Sequence, residues 1–327
     1  MTQPRVICLG EILFDCLADQ TGRSLHAVES WTPYPGGAPA NVACALAKLG
    51  TSSGFIGCVG QDEAGKQLAA LLASIGVDGT GLQFHPTAPT RKVYVLRSED
   101  GDRDFAGFGE LPADAFADAY LKASKLSEAL FQGAEFLVLG TLELVYPQTR
   151  EAVFRALELA DRANAKIVVD VNWRPRFWRD RQLAPPPIEQ LWQWVDFLKL
   201  ADDEAEMFFQ TTDAGAIANR LNSVEGVLVT AGGEKPVSYC LSENEGQVLP
   251  VRVDARDTTG AGDAFVAGFI HQLCRRGIAC LQNPETAREI IAYACAVGGL
   301  TATQPGAIAA QPTAAEVKTF LQSYPAN

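Results

Sequence analysis

The sequence has 327 residues, of which 47% are hydrophobic and 20% are charged. This composition is typical of a globular protein with a sizeable core and excludes a disordered or low-complexity chain. The net charge of −12 disfavours binding to nucleic acid or anionic lipid, so we predict no nucleic-acid or membrane partner and expect any phosphate site to be local.

Short apolar runs predict buried strands, and the segments with helical periodicity between them predict helices. Alternation of this kind predicts an α/β protein with a mostly parallel, doubly wound sheet and helices on both faces. In chain order we predict strand 6–9, helix 39–49, strand 54–59, helix 67–75, strand 136–139, helix 148–163, strands 167–170 and 197–200, helix 215–222, strand 227–230, and helices 261–273 and 285–301.

Two segments, 12–34 and 91–108, depart from this alternation. In the second, two strand-like runs flank the turn-like residues 98–101, as in a hairpin. We interpret both segments as a small β lid inserted into one domain that spans residues 1–327. The proline-rich residues 184–188 and the polar residues 242–247 are interpreted as surface connections.

Eight cysteines are present without C-x-x-C spacing, and most lie in apolar runs, which indicates reduced, buried thiols. No apolar run approaches the length of a membrane span, and the first residues lack a signal-peptide pattern. We therefore expect a cytoplasmic protein.

The run Pro35-Gly36-Gly37-Ala-Pro-Ala-Asn41 places a glycine pair directly before a predicted helix. Gly36 and Gly37 allow a ligand to approach the backbone closely, and Asn41 offers both a donor and an acceptor to hydroxyl groups. A tight turn followed by an ordinary polar helix residue would give the same run, so both interpretations stay open here.

The richest local signal is the run Asp257-Thr-Thr-Gly260-Ala261-Gly262-Asp263, which enters a predicted helix. Its small residues admit a ligand, and the free N–H groups of a first helical turn favour an anion. Asp263 would therefore present a carboxylate, able to take a proton from a hydroxyl, beside a phosphoryl site. The alternative is that Asp263 only caps the helix.

Three motifs, in this order, resemble the PfkB (ribokinase-like) carbohydrate kinase family: Gly36-Gly37-Ala-Pro-Ala-Asn41-Val-Ala, Val59-Gly60-x-Asp62-x-x-Gly65 and Asp257-Thr-Thr-Gly-Ala-Gly-Asp263-Ala-Phe. The resemblance covers nearly the whole chain. It implies a ribokinase-like fold whose lid closes over the substrate, and transfer of phosphate from ATP to a sugar hydroxymethyl group.

The resemblance also implies roles for individual residues. Asp263 would be the catalytic base, and the backbone amides of Gly260, Ala261 and Gly262 would stabilise the developing charge. Arg174, which follows the predicted strand 167–170, would meet the transferred phosphate. The implied sugar-binding residues are Asp15, Gly36, Gly37, Asn41, Arg103, Phe105 and Asn172.

For the nucleotide and the ions, the resemblance implies Mg²⁺ and K⁺ in addition to ATP. Glu204 would organise Mg²⁺ through water, although Ala201 stands where the family motif has asparagine. The implied nucleotide-side residues are Lys199, Glu204, Thr230, Gly232 and Gly298. The implied monovalent-cation site, formed largely by carbonyl oxygens, comprises Asp257, Thr259, Thr301, Gln304 and Gly306.

The lid run Gly-Asp-Arg103-Asp-Phe105 is more similar to fructokinases than to ribokinases, so fructose is the expected substrate. Ribose and 2-keto-3-deoxygluconate are the alternatives within this class. An alternative from another class is a non-catalytic, kinase-like protein that binds sugar or nucleotide. The family also implies a homodimer formed through the lid.

Overall fold

The computed structural model of the protein describes residues 3–98, 103–178, 184–222 and 224–323. Its strands form one sheet of nine and one of four. In chain order they are β1 (Val6–Leu9), β2 (Leu13–Ala18), β3 (Trp31–Gly36), β4 (Ser53–Gly60), β5 (Asp78–His85), β6 (Lys92–Arg97), β7 (Arg103–Gly107), β8 (Phe136–Leu139), β9 (Lys166–Asp170), β10 (Phe197–Ala201), β11 (Gly226–Thr230), β12 (Val237–Leu241) and β13 (Asn244–Val248).

The helices pack around the nine-stranded sheet, and none in the described ranges is long and apolar enough to cross a membrane. They are α1 (Ala38–Leu49), α2 (Glu63–Ile75), α3 (Glu128–Phe131), α4 (Pro147–Arg162), α5 (Pro185–Leu191), α6 (Asp202–Phe209), α7 (Ala214–Leu221), α8 (Ala261–Arg276), α9 (Pro284–Thr301) and α10 (Ala314–Ser323).

The large sheet has the spatial order β13-β12-β11-β10-β9-β8-β1-β4-β5. The ladders from β11 to β5 are parallel, whereas β12 and β13 add an antiparallel hairpin at one edge. The strand order reverses at β1, which lies between β4 and β8. In open α/β sheets, ligands bind outside the carboxyl ends of the strands at such a reversal.

Successive residues of a strand point to opposite faces, and in the central strands of the large sheet both sets are buried. Val6 and Cys8 pack into the core shared with α1, α8 and α9, whereas Ile7 and Leu9 pack into the core shared with α4 and α7. The predicted α/β class, with helices on both faces of a mostly parallel sheet, is therefore confirmed.

The small sheet has the order β3-β2-β6-β7, with β2 and β6 parallel and the outer pairs antiparallel. Its strands come from the two segments that depart from the α/β alternation, although β3 continues to Gly36. Alternate residues of β2, Leu13, Asp15 and Leu17, line a cavity between the two sheets. The small sheet thus covers the ligand-binding edge of the large one.

Two sequence interpretations are wrong. The proline-rich residues 184–188 begin the helix α5, because prolines are tolerated in the first turn, where the backbone N–H groups have no helical partner. The polar residues 242–247 belong to the hairpin of β12 and β13. Its turn residues Ser242 and Glu243 have φ of 46° and 69°, as a tight hairpin turn requires.

Candidate active site

A cavity of about 830 Å³ lies between the small sheet and the carboxyl ends of the parallel strands. It is the place where the reversal of strand order predicts a ligand site. Its polar wall brings together residues far apart in the sequence, namely Glu11, Asp15, Asn41, Asp170, Asn172, Arg174, Lys199, Glu204 and Asp263.

Asp263 is the third residue of α8, and the loop before it is shaped by Gly260. Gly260 caps the helix with φ 77°, and a Cβ there would lie 2.7 Å from the Cβ of Ala307, so only glycine fits. Gly260 and Gly262 line the cavity. The N–H of Ala261 donates to the Thr258 carbonyl at 3.2 Å. Of the three amides predicted to stabilise the developing charge, the amide of Ala261 therefore already has an acceptor.

The carboxylate of Asp263 accepts a hydrogen bond of 2.8 Å from Nδ2 of Asn41. Burial and, to a lesser extent, the negative charge of Asp170 raise its pKa, whereas Asn41, Lys199 and Arg174 lower it, and the net result is a pKa of about 7. A carboxylate with a pKa near neutrality can accept a proton from a hydroxyl and release it again at physiological pH. Asp263 is therefore suited to act as a general base.

The predicted sugar-side residues adjoin this base. Gly36 ends β3 against Asp15, whose Oδ2 would lie 2.5 Å from a Cβ at position 36, and Gly37 has φ 107° at the start of α1. Oδ1 of Asn41 is buried and has no hydrogen-bond partner in the described part of the chain. It is an acceptor that a hydroxyl group of a ligand would satisfy.

The ends of β9 and β10 add a buried ion pair that the sequence interpretation did not anticipate. Lys199 Nζ lies 2.9 Å from Oδ1 of Asp170, and both side chains are less than a tenth exposed. Asn172, with φ 43°, and Arg174 follow β9 on the same wall. Lys199 therefore contacts a protein carboxylate, whereas Arg174 lines the cavity and its Nη1 donates to the Trp173 carbonyl at 3.1 Å.

Glu204, in the first turn of α6, links the segment after β9 to the end of β10. Its two carboxylate oxygens accept the N–H groups of Trp173, at 2.5 Å, and Ala201, at 2.8 Å. Burial raises the pKa of Glu204, as does Asp170, whereas Lys199 lowers it. The methyl group of Ala201 cannot accept the reciprocal bond that an asparagine or serine would accept at this N-cap position.

Three of the five residues predicted on the nucleotide side, Thr230, Gly232 and Gly298, lie apart from this cavity, whereas Lys199 and Glu204 line it. Thr230 ends β11, where its hydroxyl donates to the Leu200 carbonyl at 3.3 Å, and Gly232 forms the following turn with φ 75°. Gly298 lies within α9, where a Cβ would be 2.8 Å from the carbonyl oxygen of Ala261. None of the three is among the residues that line the cavity. Gly298 thus permits close packing of α9 against the start of α8.

Three of the predicted monovalent-cation residues, Asp257, Thr259 and Gly306, lie on two loops that hydrogen bonds join. Asp257 accepts the N–H groups of Thr259 at 3.0 Å and of Gly306 at 2.9 Å, which joins the loop before α8 to the loop after α9. The hydroxyl of Thr301 donates to the Val297 carbonyl, and Gln304 is exposed. In the described ranges no three His, Cys, Asp or Glu side chains form a metal-ligand cluster, so a cation here would need carbonyl ligands.

On the small sheet, Phe105 lines the cavity and contacts the rings of Phe108 and Phe177. The guanidinium of Arg176 lies over the Phe105 ring and donates to its carbonyl at 2.5 Å. The side chain of Arg103 falls outside the described part of the structure. Phe105 therefore connects the small sheet to the segment that follows β9.

Known proteins resemble this chain in sequence and in fold. The profile described as pfkB family carbohydrate kinase matches residues 3–314. Probable fructokinase-5 of Arabidopsis thaliana is 35% identical over 323 residues, 98% of each chain. The crystal structure of Xylella fastidiosa fructokinase with bound ATP has a TM-score of 0.86 and 30% identity, covering 97% of this chain and 98% of that one. A Vibrio cholerae O395 fructokinase double mutant in a fructose, ADP and potassium ion bound form has a TM-score of 0.83 and 26% identity, covering 98% of each.

Proposed function

The chain belongs to the pfkB family of carbohydrate kinases, and from that premise we propose that it transfers the γ-phosphate of ATP to the primary hydroxyl of fructose, giving fructose 6-phosphate. It is an ATP-dependent phosphotransferase with an alcohol acceptor. The observation that carries the proposal is the buried Asp263, with a pKa of about 7, hydrogen-bonded to Asn41 in a cavity that also contains Gly37 and Gly260.

In the proposed reaction, Asp263 accepts the proton of the sugar's primary hydroxyl as its oxygen attacks the γ-phosphorus of ATP. The amides of Gly260 and Gly262, at the positive end of α8, stabilise the charge that develops on the phosphoryl oxygens. Arg174 adds a positive charge on the same polar wall. Mg²⁺ bound with ATP would neutralise phosphate charge, and water held near Glu204 would orient it.

The choice of fructose rests on the relatives. Fructose is a bound ligand of the Vibrio cholerae fructokinase, and the Arabidopsis relative carries the fructokinase name over almost the whole of both chains. The cavity wall offers Asp15, Asn41 and Asn172 to hydroxyl groups and Leu13 and Phe105 to the apolar face of a sugar.

A second candidate is 2-keto-3-deoxygluconate, because Arg176 also lines the cavity and its charge would suit a sugar carboxylate. Ribose is the third candidate. A non-catalytic binding protein is disfavoured. Binding alone would not require the buried Asp263 carboxylate, which accepts a hydrogen bond from Nδ2 of Asn41, next to the Oδ1 atom of Asn41 that lacks a partner among the described residues.

The test is a panel of fructose, ribose, 2-keto-3-deoxygluconate and glucose, each assayed for ADP release with Mg·ATP. We expect fructose to give the highest kcat/KM. Asp263→Asn, assayed in parallel, identifies turnover that depends on the proposed base. A higher kcat/KM for 2-keto-3-deoxygluconate would replace fructose as the substrate, and no turnover with any sugar of the panel would refute catalysis of this kind.

We also propose a K⁺ site at the loops joined by Asp257, formed with Thr259, Thr301, Gln304 and Gly306. The potassium ion in the Vibrio cholerae fructokinase supports it, as does the bond from the Gly306 amide to Asp257. This site would hold the loop before α8, and so the base, in position. Exchange of K⁺ for Na⁺ should lower kcat, and an equal kcat in both salts would argue against the site.

The small sheet is proposed to act as a lid and, through its edge strands β3 and β7, as the contact of a homodimer, since exposed sheet edges need cover. Light scattering that gives the 35.0 kDa of a single chain would exclude the dimer.

We place the enzyme in the cytoplasm, where ATP is available and where its eight cysteines, all free, stay reduced. Fractionation of cells would test this location.

A further inference from the structure

Two buried glutamates meet beneath the sugar-side loop. Glu11 directly follows the loop residue Gly10 after β1, and Glu143 lies in the short helical turn Leu142–Val145 after β8. Because β1 and β8 are parallel neighbours, their carboxyl ends bring the two side chains together. Glu11 is 6% and Glu143 is 4% exposed. Buried carboxyl groups this close need a specific reason to be there.

The contacts of Glu11 reach the sugar-side loop directly. Its Oε1 accepts the N–H of Ala38, the first residue of α1, at 2.8 Å. The carbonyl oxygen of Glu11 also occupies the space that a Cβ of Gly37 would need. The loop of residues 36–38 therefore rests on the side chain and the backbone of Glu11.

Glu143 supports Glu11 from the other side. Its Oε1 would lie 2.5 Å from a Cβ at Gly10, so its carboxyl group packs closely against the backbone that precedes Glu11. A hydrogen bond joins the two carboxyl groups. Oε2 of Glu143 has no donor in the described part of the chain. A hydrogen bond between two carboxyl groups requires that one of them carry a proton.

Surrounding charges indicate where that proton lies. Burial raises the pKa of Glu143 well above its ordinary value, and the charges of Glu11 and Asp118 raise it further. Asp118 itself is paired with Arg91, which also bonds to Tyr146, so that cation is engaged elsewhere. Oε1 of Glu11 already acts as an acceptor, because it accepts the Ala38 N–H at the start of α1. Glu143 is therefore the proton donor of the pair, and Glu11 is the acceptor.

We propose that Glu11 and Glu143 share one proton and act as a positioning pair, in which protonated Glu143 holds the Glu11 carboxylate against the amide of Ala38 and so fixes the loop of residues 36–38. This inference rests on the proposed function, in which that loop binds the sugar. Glu143 does not line the cavity, so it acts through Glu11. Its loss should weaken sugar binding and leave ATP binding unchanged.

Two variants of Glu143 separate this role from simple packing. Glu143→Gln keeps an N–H donor for Glu11, whereas Glu143→Leu has similar bulk and no donor. We expect Glu143→Leu to raise the KM for fructose about tenfold, which corresponds to the loss of one hydrogen bond to a charged group. Glu143→Gln should raise it about twofold at most, and the KM for ATP should change in neither. Glu151→Gln and Glu151→Leu, on the exposed face of α4, are the matched controls.

The shared proton can be observed without turnover. Because the pKa of Glu143 is raised, infrared difference spectra of the wild type against Glu143→Gln at neutral pH should contain a protonated-carboxyl band that the variant lacks. Absence of that band in the wild type would refute the shared proton even if Glu143→Leu does not fold. Equal KM values for fructose in the two variants would refute the positioning role. Inactivity of the wild type on every sugar would instead refute the proposed function, and the infrared result would still stand.

Discussion

Asp263 is held in an environment whose parts act on its pKa in opposite directions. Burial and the charge of Asp170 favour its protonated form, whereas the Asn41 amide and the cations Lys199 and Arg174 favour its ionised form. The result, a pKa of about 7, leaves roughly half of the molecules with an ionised base at neutral pH. Lys199 and Asp170 form an ion pair, so their opposite effects on the pKa of Asp263 cancel in part.

This pKa predicts the pH dependence of the reaction. Only the ionised form of Asp263 can accept a proton, so kcat/KM for the sugar should fall about tenfold per pH unit below pH 7 and level off above it. Asp263→Asn should lower kcat by about 10²–10⁴ and leave the KM values for sugar and ATP within a few-fold. Steady-state kinetics from pH 5 to 9 measures both effects.

The control for that variant is Asp161→Asn, at an exposed position near the end of α4, which should leave kcat and its pH profile unchanged. A wild-type profile that stays flat between pH 5 and 7, or an Asp263→Asn variant with wild-type kcat, would remove Asp263 from the role of base.

Residues of the site were predictable from the sequence where the signal was local. Asp263 follows its glycines within one loop, and Asn41 follows Gly36 and Gly37 within one turn. The pairing of Lys199 with Asp170 was not predictable. The sequence of one strand does not indicate which charged residue of a neighbouring strand will lie opposite its own. The only available signal was position, since both lie near the carboxyl ends of predicted strands.

At the scale of elements, periodicity placed most strands and helices to within a few residues, because a strand buried on both faces is apolar throughout. The start of α2 was missed by four residues: Asp62 caps it and accepts the Gly65 amide, and a polar first turn has no apolar periodicity to detect. The edge hairpin of β12 and β13 was missed for a related reason. An edge strand such as β13 is half polar and resembles a loop in sequence.

The two sheets are joined by the buried side chain of Arg91, just before β6. Its guanidinium lies 2.5 and 2.6 Å from the two carboxylate oxygens of Asp118. It also lies over the rings of Phe116, Phe177 and Phe108, which belong to different segments of the chain. This cluster anchors the base of the small sheet to the main body.

Arg91→Met should therefore destabilise the protein by about 3–5 kcal/mol, because it leaves the Asp118 carboxylate buried without its partner. Urea unfolding monitored by circular dichroism measures the free energy. Arg155→Met is the matched control: its ion pairs with Glu128 and Glu158 are exposed, and we expect a loss below about 1 kcal/mol. Similar losses in the two variants would contradict the anchoring role of Arg91.

At the scale of the whole molecule, helix α8 carries two groups that change stability with pH in opposite senses. The folded protein retains a proton on Asp263 that the unfolded chain releases, so Asp263 lowers stability as pH rises from about 4 to 7. Eight residues further on, burial lowers the pKa of His271 to about 4, with help from the charges of Arg275 and Arg5. The folded protein therefore excludes a proton that the unfolded chain would bind.

His271 has no effect on the pH dependence above pH 6.5, where it is neutral in both states, and it lowers stability progressively as pH falls towards 4. The wild type should lose about 2 kcal/mol more than His271→Gln between pH 7 and pH 5, since each pH unit between the two pKa values changes the free energy by about 1.4 kcal/mol. Urea unfolding at the two pH values measures this difference.

The substitution itself will disturb the 2.8 Å contact between His271 Nδ1 and the Thr51 hydroxyl, so the informative quantity is the change with pH and not the stability at one pH. His26→Gln, at an exposed position, should keep the wild-type dependence. If His271→Gln and the wild type lose the same free energy between pH 7 and pH 5, His271 must be protonated in the folded protein. A cation would then have to fit beside the ring of Tyr293, where Nε2 of His271 has no partner among the described residues.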